Sequence, residues 1–118
     1  MRSGRFVILE HRLEHGVHWD FMLEWGDVLR TWSLERPPDL PGEIVATGLP
    51  DHRKQFLDYE GPVSAGRGVV SRWDFGTYRL LEESCQTVQA ELLGPKVAGR
   101  VTLTRPSDEA AVWAFVLE

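Results

Sequence analysis

Cysteine is almost missing from this chain: Cys85 stands alone, so no intrachain disulfide can staple the fold. A reducing compartment and a cytoplasmic location are the expectations that follow, and Cys85 itself reads as a small structural residue. Long apolar runs are missing too. Nothing approaches the roughly 18 residues that would cross a bilayer. The first residues, Met1 to Arg5, lead into a strand-like segment without a signal-peptide core, so no membrane association is expected. Positive charge is in deficit: 13 Lys and Arg stand against 18 Asp and Glu, giving a net charge of −5. That balance excludes a protein that grips nucleic acid chiefly by releasing counterions over a broad basic face, so any nucleic-acid contact should be local and weak. Internal repeats and low-complexity tracts are absent as well.

What is present is enough to fold. The 118 residues suit one domain, 1–118, and a monomer is expected. Hydrophobic residues make up 42% of the chain, with five Trp and five Phe, which excludes disorder. Residues 5–9 are apolar and partly β-branched and read as a first strand, with the charged stretch 10–16 as a loop. From Val17 to Trp25 the alternation is strict: Val17, Trp19, Phe21, Leu23 and Trp25 share one face, and His18, Asp20, Met22 and Glu24 the other. Gly26-Asp27 reads as a two-residue hairpin turn leading into a partner strand, 28–34. Pro37, Pro38, Pro41 and Gly42 make 35–43 a loop.

Residues 44–49 predict a short strand, and 52–59 a short helix ended by Gly61-Pro62. A second hairpin is predicted around Asp74-Phe75-Gly76, followed by strands over 88–92, 97–104 and 112–117. Seven to eight short strands with a single short helix predict a mostly β chain, a small antiparallel β-barrel.

The polar face of the alternating strand carries the chemistry. His18 and Asp20 lie two residues apart, on one side of a strand, with Cα atoms about 6.5 Å apart, a span that one metal ion bridges. His11 joins them if the first two strands pair, giving two imidazoles and a carboxylate with coordination positions left open. The H-x-D pattern alone suits a solvated strand face equally well. Two His and one carboxylate is also the ligand set of non-haem iron oxygenases, but those generally need a larger double-sheet barrel. The tryptophans of the alternating strand read as core, with an interaction surface as the rival reading.

Three longer segments narrow the choice: Phe6-Val7-Ile8-Leu9-Glu10-His11, Val17-His18-Trp19-Asp20-Phe21-Met22-Leu23-Glu24 and Val28-Leu29-Arg30-Thr31-Trp32-Ser33. Asp51-His52, Asp58-Tyr59-Glu60-Gly61-Pro62-Val63 and Trp73-Asp74-Phe75-Gly76-Thr77-Tyr78 follow in the same order. Over about residues 6–78 the chain resembles the 3′-phosphoesterase module of bacterial DNA ligase D and its free-standing relatives. The resemblance implies a manganese-type divalent ion, with Zn or Co as other candidates, on His11, His18 and Asp20. It also implies that His52 contacts phosphate or acts in catalysis, and that Arg36 is a second phosphate contact. The implied activity is removal of a 3′-phosphate or 3′-ribonucleotide from DNA or primer ends, with a DNA ligase or other repair proteins as partners.

The chain departs from the family pattern at several places. Met22 replaces an Arg that would neutralise phosphate through paired hydrogen bonds. Phe56 replaces a Tyr, the loop around Gly66-Arg67-Gly68 is shorter, and the longer interval from His11 to His18 makes His15 a substitute ligand candidate. Arg67 and Arg72 are candidates to compensate for Met22. The alternative carried by these departures is a catalytically degenerate metal-binding module that binds nucleic-acid ends or a repair partner.

Overall fold

A computed structural model describes residues 2–118. Its strands are β1 (Ser3–Leu13), β2 (Gly16–Trp25), β3 (Val28–Leu34), β4 (Gly42–Arg53), β5 (Gly61–Pro62), β6 (Val69–Glu83), β7 (Thr87–Leu93), β8 (Ala98–Thr104) and β9 (Val112–Leu117). They form one antiparallel sheet in the order β1-β2-β3-β4-β9-β8-β7-β6-β5, and β1 also pairs with β6. That last pairing closes eight strands into a barrel, leaving the two residues of β5 on its flank. The expected barrel is therefore the observed one.

Alternation in β2 decides what lies inside. Phe21 and Leu23 point into the barrel with Phe6, Ile8, Trp32 and Phe115, while Trp19, Trp25 and Trp73 pack against this core. Trp32 and Trp113 are buried and meet edge to face at 5.7 Å, so the tryptophans serve packing rather than an exposed interaction surface. Gly26 takes φ +62°, the turn conformation that a two-residue hairpin asks of its first position.

The polar face of β2 looks outward, yet it is covered. Val7, Leu9, Met22, Leu29, Leu57 and Val70 form a second, smaller core on the outside of the barrel wall. Its lid is a single 3₁₀ turn, Lys54–Leu57, whose Leu57 is 3% exposed. Lys54 reaches Glu24 at 2.8 Å and Arg5 holds Asp58 at 2.6 Å. These exposed ion pairs contribute little, because solvent screens them. Burial of Leu57, at about 2 kcal/mol, does more to hold the lid.

Four local expectations are corrected. The stretch 10–16 is no loop: β1 runs to Leu13 and turns tightly, because the ladder to β2 continues through His11↔His18 to Leu13↔Gly16. The helix expected over 52–59 shrinks to the 3₁₀ turn, since β4 extends through Pro50 to Arg53. Leu29 pairs with His52 and Thr31 with Leu49, so Pro50 and Asp51 together oppose Arg30. Such a bulge tolerates a proline, whose missing N–H costs no ladder bond there. The loop expected over 35–43 gives way to strand at Gly42.

The second hairpin does not exist. β6 passes unbroken through Asp74-Phe75-Gly76, and a register shift opposite Ile8 and Leu9 takes up the extra residue. Asp74 turns its carboxylate to accept the N–H groups of Val97 at 2.7 Å and Lys96 at 3.2 Å, tying β6 to the β7–β8 connection. Gly76 is needed because a Cβ there would lie 2.0 Å from the Leu93 carbonyl oxygen. Turn-type residues here mark close backbone approach, not chain reversal.

Candidate active site

Between the 3₁₀ lid, the end of β4 and the turn preceding β6 lies a cleft of about 650 Å³. Its floor is the outer face of β1 and β2: Leu9, His11, Asp20 and Met22 line it, with His52, Phe56, Tyr59 and Arg67 around the rim. The second core thus ends in a depression that is apolar on one side and ionisable on the other.

Leu9 pairs with Asp20 and His11 with His18, and paired residues of an antiparallel ladder project to the same side. His11 and Asp20 are in contact, Nδ1 to Oδ2 at 3.1 Å. Asp20 is 4% exposed. Burial pushes its carboxyl pKa upward, opposed in turn by the nearby imidazoles of His11, His52 and His18. The other nitrogen of His11, Nε2, lies 2.6 Å from the Arg67 carbonyl oxygen. A carbonyl only accepts, so Nε2 carries a hydrogen, and the Nδ1–Oδ2 contact then holds a further shared proton.

His52, at the end of β4, donates from Nδ1 to the Pro50 carbonyl oxygen at 2.9 Å, which leaves Nε2 as its available nitrogen. Its ring meets Phe56 edge to face at 5.9 Å, and Phe56 meets Tyr59 at 5.8 Å. Tyr59 donates its hydroxyl to the Pro62 carbonyl and braces the wall.

His11, Asp20 and His52 line one cleft. His18 lies beside them in register, opposite His11, and is exposed. Arg36 is not among the cleft's lining residues and reaches the Glu43 carbonyl oxygen at 3.4 Å. Arg67 lines the cleft, but its side chain is tied back to Ser64, Nε to the carbonyl oxygen at 2.9 Å and Nη2 to Oγ at 3.0 Å. Arg72 stacks over Phe75 at 3.9 Å, and His15 sits exposed at the β1–β2 turn. Polar lining residues that no motif marks are Arg53, Gln55 and Ser64.

The donors suit a divalent cation. Among the described residues no three His, Cys, Asp or Glu side chains already stand in ligand geometry. Yet a buried carboxyl with raised pKa, touching one imidazole and within electrostatic reach of two more, has no permanent counter-ion for its charged form. A cation taking the place of the shared proton would supply that counter-ion, and its affinity should rise with pH as the proton is lost.

The same burial has a stability consequence. Because the folded pKa of Asp20 lies above its unfolded value of about 4, the folded protein binds more protons than the unfolded chain across that window. This contribution to stability is present below about pH 4 and lost as pH rises through the folded pKa. Asp20→Asn, which keeps an oxygen facing His11, should therefore raise the melting temperature of the metal-free protein at pH 7 and leave it little changed near pH 3. Thermal melts at both values check this; equal melting temperatures at pH 7 would contradict it.

Residues 9–105 match the family model described as the DNA Ligase D 3'-phosphoesterase domain. The chain is 32% identical over 118 residues to the multifunctional non-homologous end joining DNA repair protein LigD of Mycobacterium tuberculosis, covering 91% of this chain and 15% of that protein. It is 28% identical over 111 residues to the multifunctional non-homologous end joining protein LigD of Pseudomonas aeruginosa, covering 86% of this chain and 13% of that one. The chain thus spans about one seventh of the length of these relatives. Among the described residues no helix is long and apolar enough to cross a membrane. A barrel carrying its ionisable cleft on the outer face of β1 and β2, matched by the family model from β1 to the end of β8, is a member of the DNA ligase D 3′-phosphoesterase domain family.

Proposed function

We propose that this protein is a metal-dependent 3′-phosphoesterase acting, as a monomer, on 3′-phosphate or 3′-ribonucleotide ends of DNA during end-joining repair. The observation that carries the reading is the buried Asp20–His11 pair in a cleft rimmed by His52. Family membership supplies the reaction class.

His11, Asp20 and the adjacent His18 would hold the ion, with manganese as the first candidate and Zn or Co as alternatives. Bound there, a divalent ion would withdraw charge from a phosphate oxygen and stabilise the charge that develops during displacement. The chain's own residues do the rest. His52, oriented by Pro50, presents Nε2 to the cleft, where it contacts phosphate and, when protonated, gives a proton to the leaving oxygen. Leu9, Met22 and Phe56 exclude water from the floor and strengthen these charge interactions. Arg53 on the rim is better placed for phosphate than Arg36, which does not line the cleft. A short cleft on a chain of net charge −5 fits recognition of a strand terminus, where a ligase or other repair partner delivers the end.

Met22, 1% exposed in place of the family's arginine, favours a second reading: a module that holds a metal and an end without turnover. Phosphate release from a primer–template bearing a 3′-phosphate, with Mn²⁺ and after chelation, separates the two. Release with Mn²⁺ and none with chelator is the expected result. No release from protein that measurably binds Mn²⁺ would support the second reading instead.

A further inference from the structure

The turn between β5 and β6 lies directly on His11, and its conformation is demanding. Ala65 is the one described non-glycine residue with positive φ, at +61°, and Gly66 and Gly68 follow at +67° and +83°. A Cβ on Gly68 would lie 2.2 Å from the Arg12 carbonyl oxygen, so only glycine lets the turn rest on β1. The turn is closed twice, by Val63 N–H to the Gly68 carbonyl oxygen at 2.8 Å and by the Arg67 guanidinium on Ser64. What this scaffold delivers is the Arg67 carbonyl oxygen, 2.6 Å from His11 Nε2.

We infer that the Ser64–Gly68 turn is a positioning device for the metal site: its Arg67 carbonyl keeps the hydrogen of His11 on Nε2 and thereby assigns Nδ1, the nitrogen facing Asp20, as the metal-binding atom. The inference rests on the metal reading proposed above and adds which nitrogen binds and what fixes it. An imidazole without such a partner presents either nitrogen and rotates. One whose far N–H is held by a carbonyl is a single tautomer in a single orientation, and outer-shell partners of this kind typically change metal affinity about 10–100-fold. Arg67 therefore acts through its main chain, which explains why its guanidinium is spent on Ser64 rather than offered to the cleft.

The test uses the full chain, with Zn²⁺ as a diamagnetic probe and Mn²⁺ for affinity. Long-range ¹H–¹⁵N spectra of the histidine rings read the state of each nitrogen directly. In the wild type, His11 Nε2 should stay protonated with and without Zn²⁺, and Nδ1 should shift on loading. Gly68→Ala, which lifts the turn from Arg12, should lose the slowly exchanging Nε2 hydrogen and weaken Mn²⁺ binding about 10–100-fold. Ser64→Ala removes only the hydroxyl arm of the staple. It should shift both readouts in the same direction by less, which keeps the test open if Gly68→Ala fails to fold. An unprotonated Nε2 in the Zn²⁺-loaded wild type, or unchanged spectra and affinity in the variants, would overturn the inference. A wild type that binds neither ion would overturn the metal reading itself. The Nε2 hydrogen of the metal-free protein would still report whether the turn holds His11, so the two failures are distinguishable.

Discussion

Replacing His11 by alanine is expected to lower the Mn²⁺-dependent rate of 3′-phosphate release by about 100-fold or more, a loss of about 3 kcal/mol in transition-state stabilisation. Among the described residues His11 is the one imidazole bonded on both sides, to Asp20 and to the Arg67 carbonyl oxygen, so alanine removes a proposed ligand and leaves a buried carboxylate without a partner. Raising the Mn²⁺ concentration should recover part of the rate, because the defect lies in holding the ion rather than in the chemistry of His52. His15→Ala is the matched control. That residue is exposed at the β1–β2 turn, away from the cleft's lining, and its loss should leave the rate within about two-fold, which corresponds to less than 0.5 kcal/mol. Steady-state rates over a Mn²⁺ series check both. A larger loss in His15→Ala than in His11→Ala would mean that the longer β1–β2 interval has moved the ligand role to His15.

The second large effect concerns stability. Asp74→Ala should destabilise the protein by about 3 kcal/mol, because it leaves the Val97 and Lys96 N–H groups without their acceptor at a site where Asp74 itself is 2% exposed. For a chain of this size that corresponds to a melting temperature lowered by about 10 °C. Asp74→Asn keeps one acceptor oxygen and should cost less than half as much. Denaturant unfolding measures both. A loss below about 1 kcal/mol for the alanine variant would show that Asp74 is not what ties β6 to the β7–β8 connection.

Much of this architecture was legible because strand periodicity is a local signal. β2, β3 and β9 carry their alternation in plain view, and Gly26-Asp27 states its turn chemistry within two residues. The errors fall where a residue's reason is distant in sequence. Gly76 answers to the Leu93 carbonyl and Asp74 to Val97, so a segment that looks like a turn is a straight run of β6 held to a neighbour. Pro50 reads as the end of a strand, yet it sits in a bulge that carries β4 on to His52 and aims that imidazole at the cleft.

The candidate site divides in the same way. The H-x-D pair and its outward face follow from the alternation of β2, and pairing of β1 with β2 puts His11 beside them in register. No side-chain pattern could reveal that this outward face is roofed by Leu57 and ends in a cleft, because the roof depends on a single 3₁₀ turn folding back over β1. Nor could it reveal the Arg67 carbonyl, a backbone atom whose placement depends on Gly68 touching β1. The path of the Arg36 loop is likewise set at a distance from the motif residues: it takes that side chain to the Glu43 carbonyl oxygen.

The Asp20–His11 pair is proposed as the seat of a divalent ion. The most direct measurement is a Mn²⁺ titration followed by electron paramagnetic resonance, on the wild type and on Asp20→Asn. One ion bound per wild-type chain, with tighter binding at higher pH, and binding lost in a folded Asp20→Asn protein is the predicted result. No binding by the wild type, or equal binding by both proteins, would contradict it.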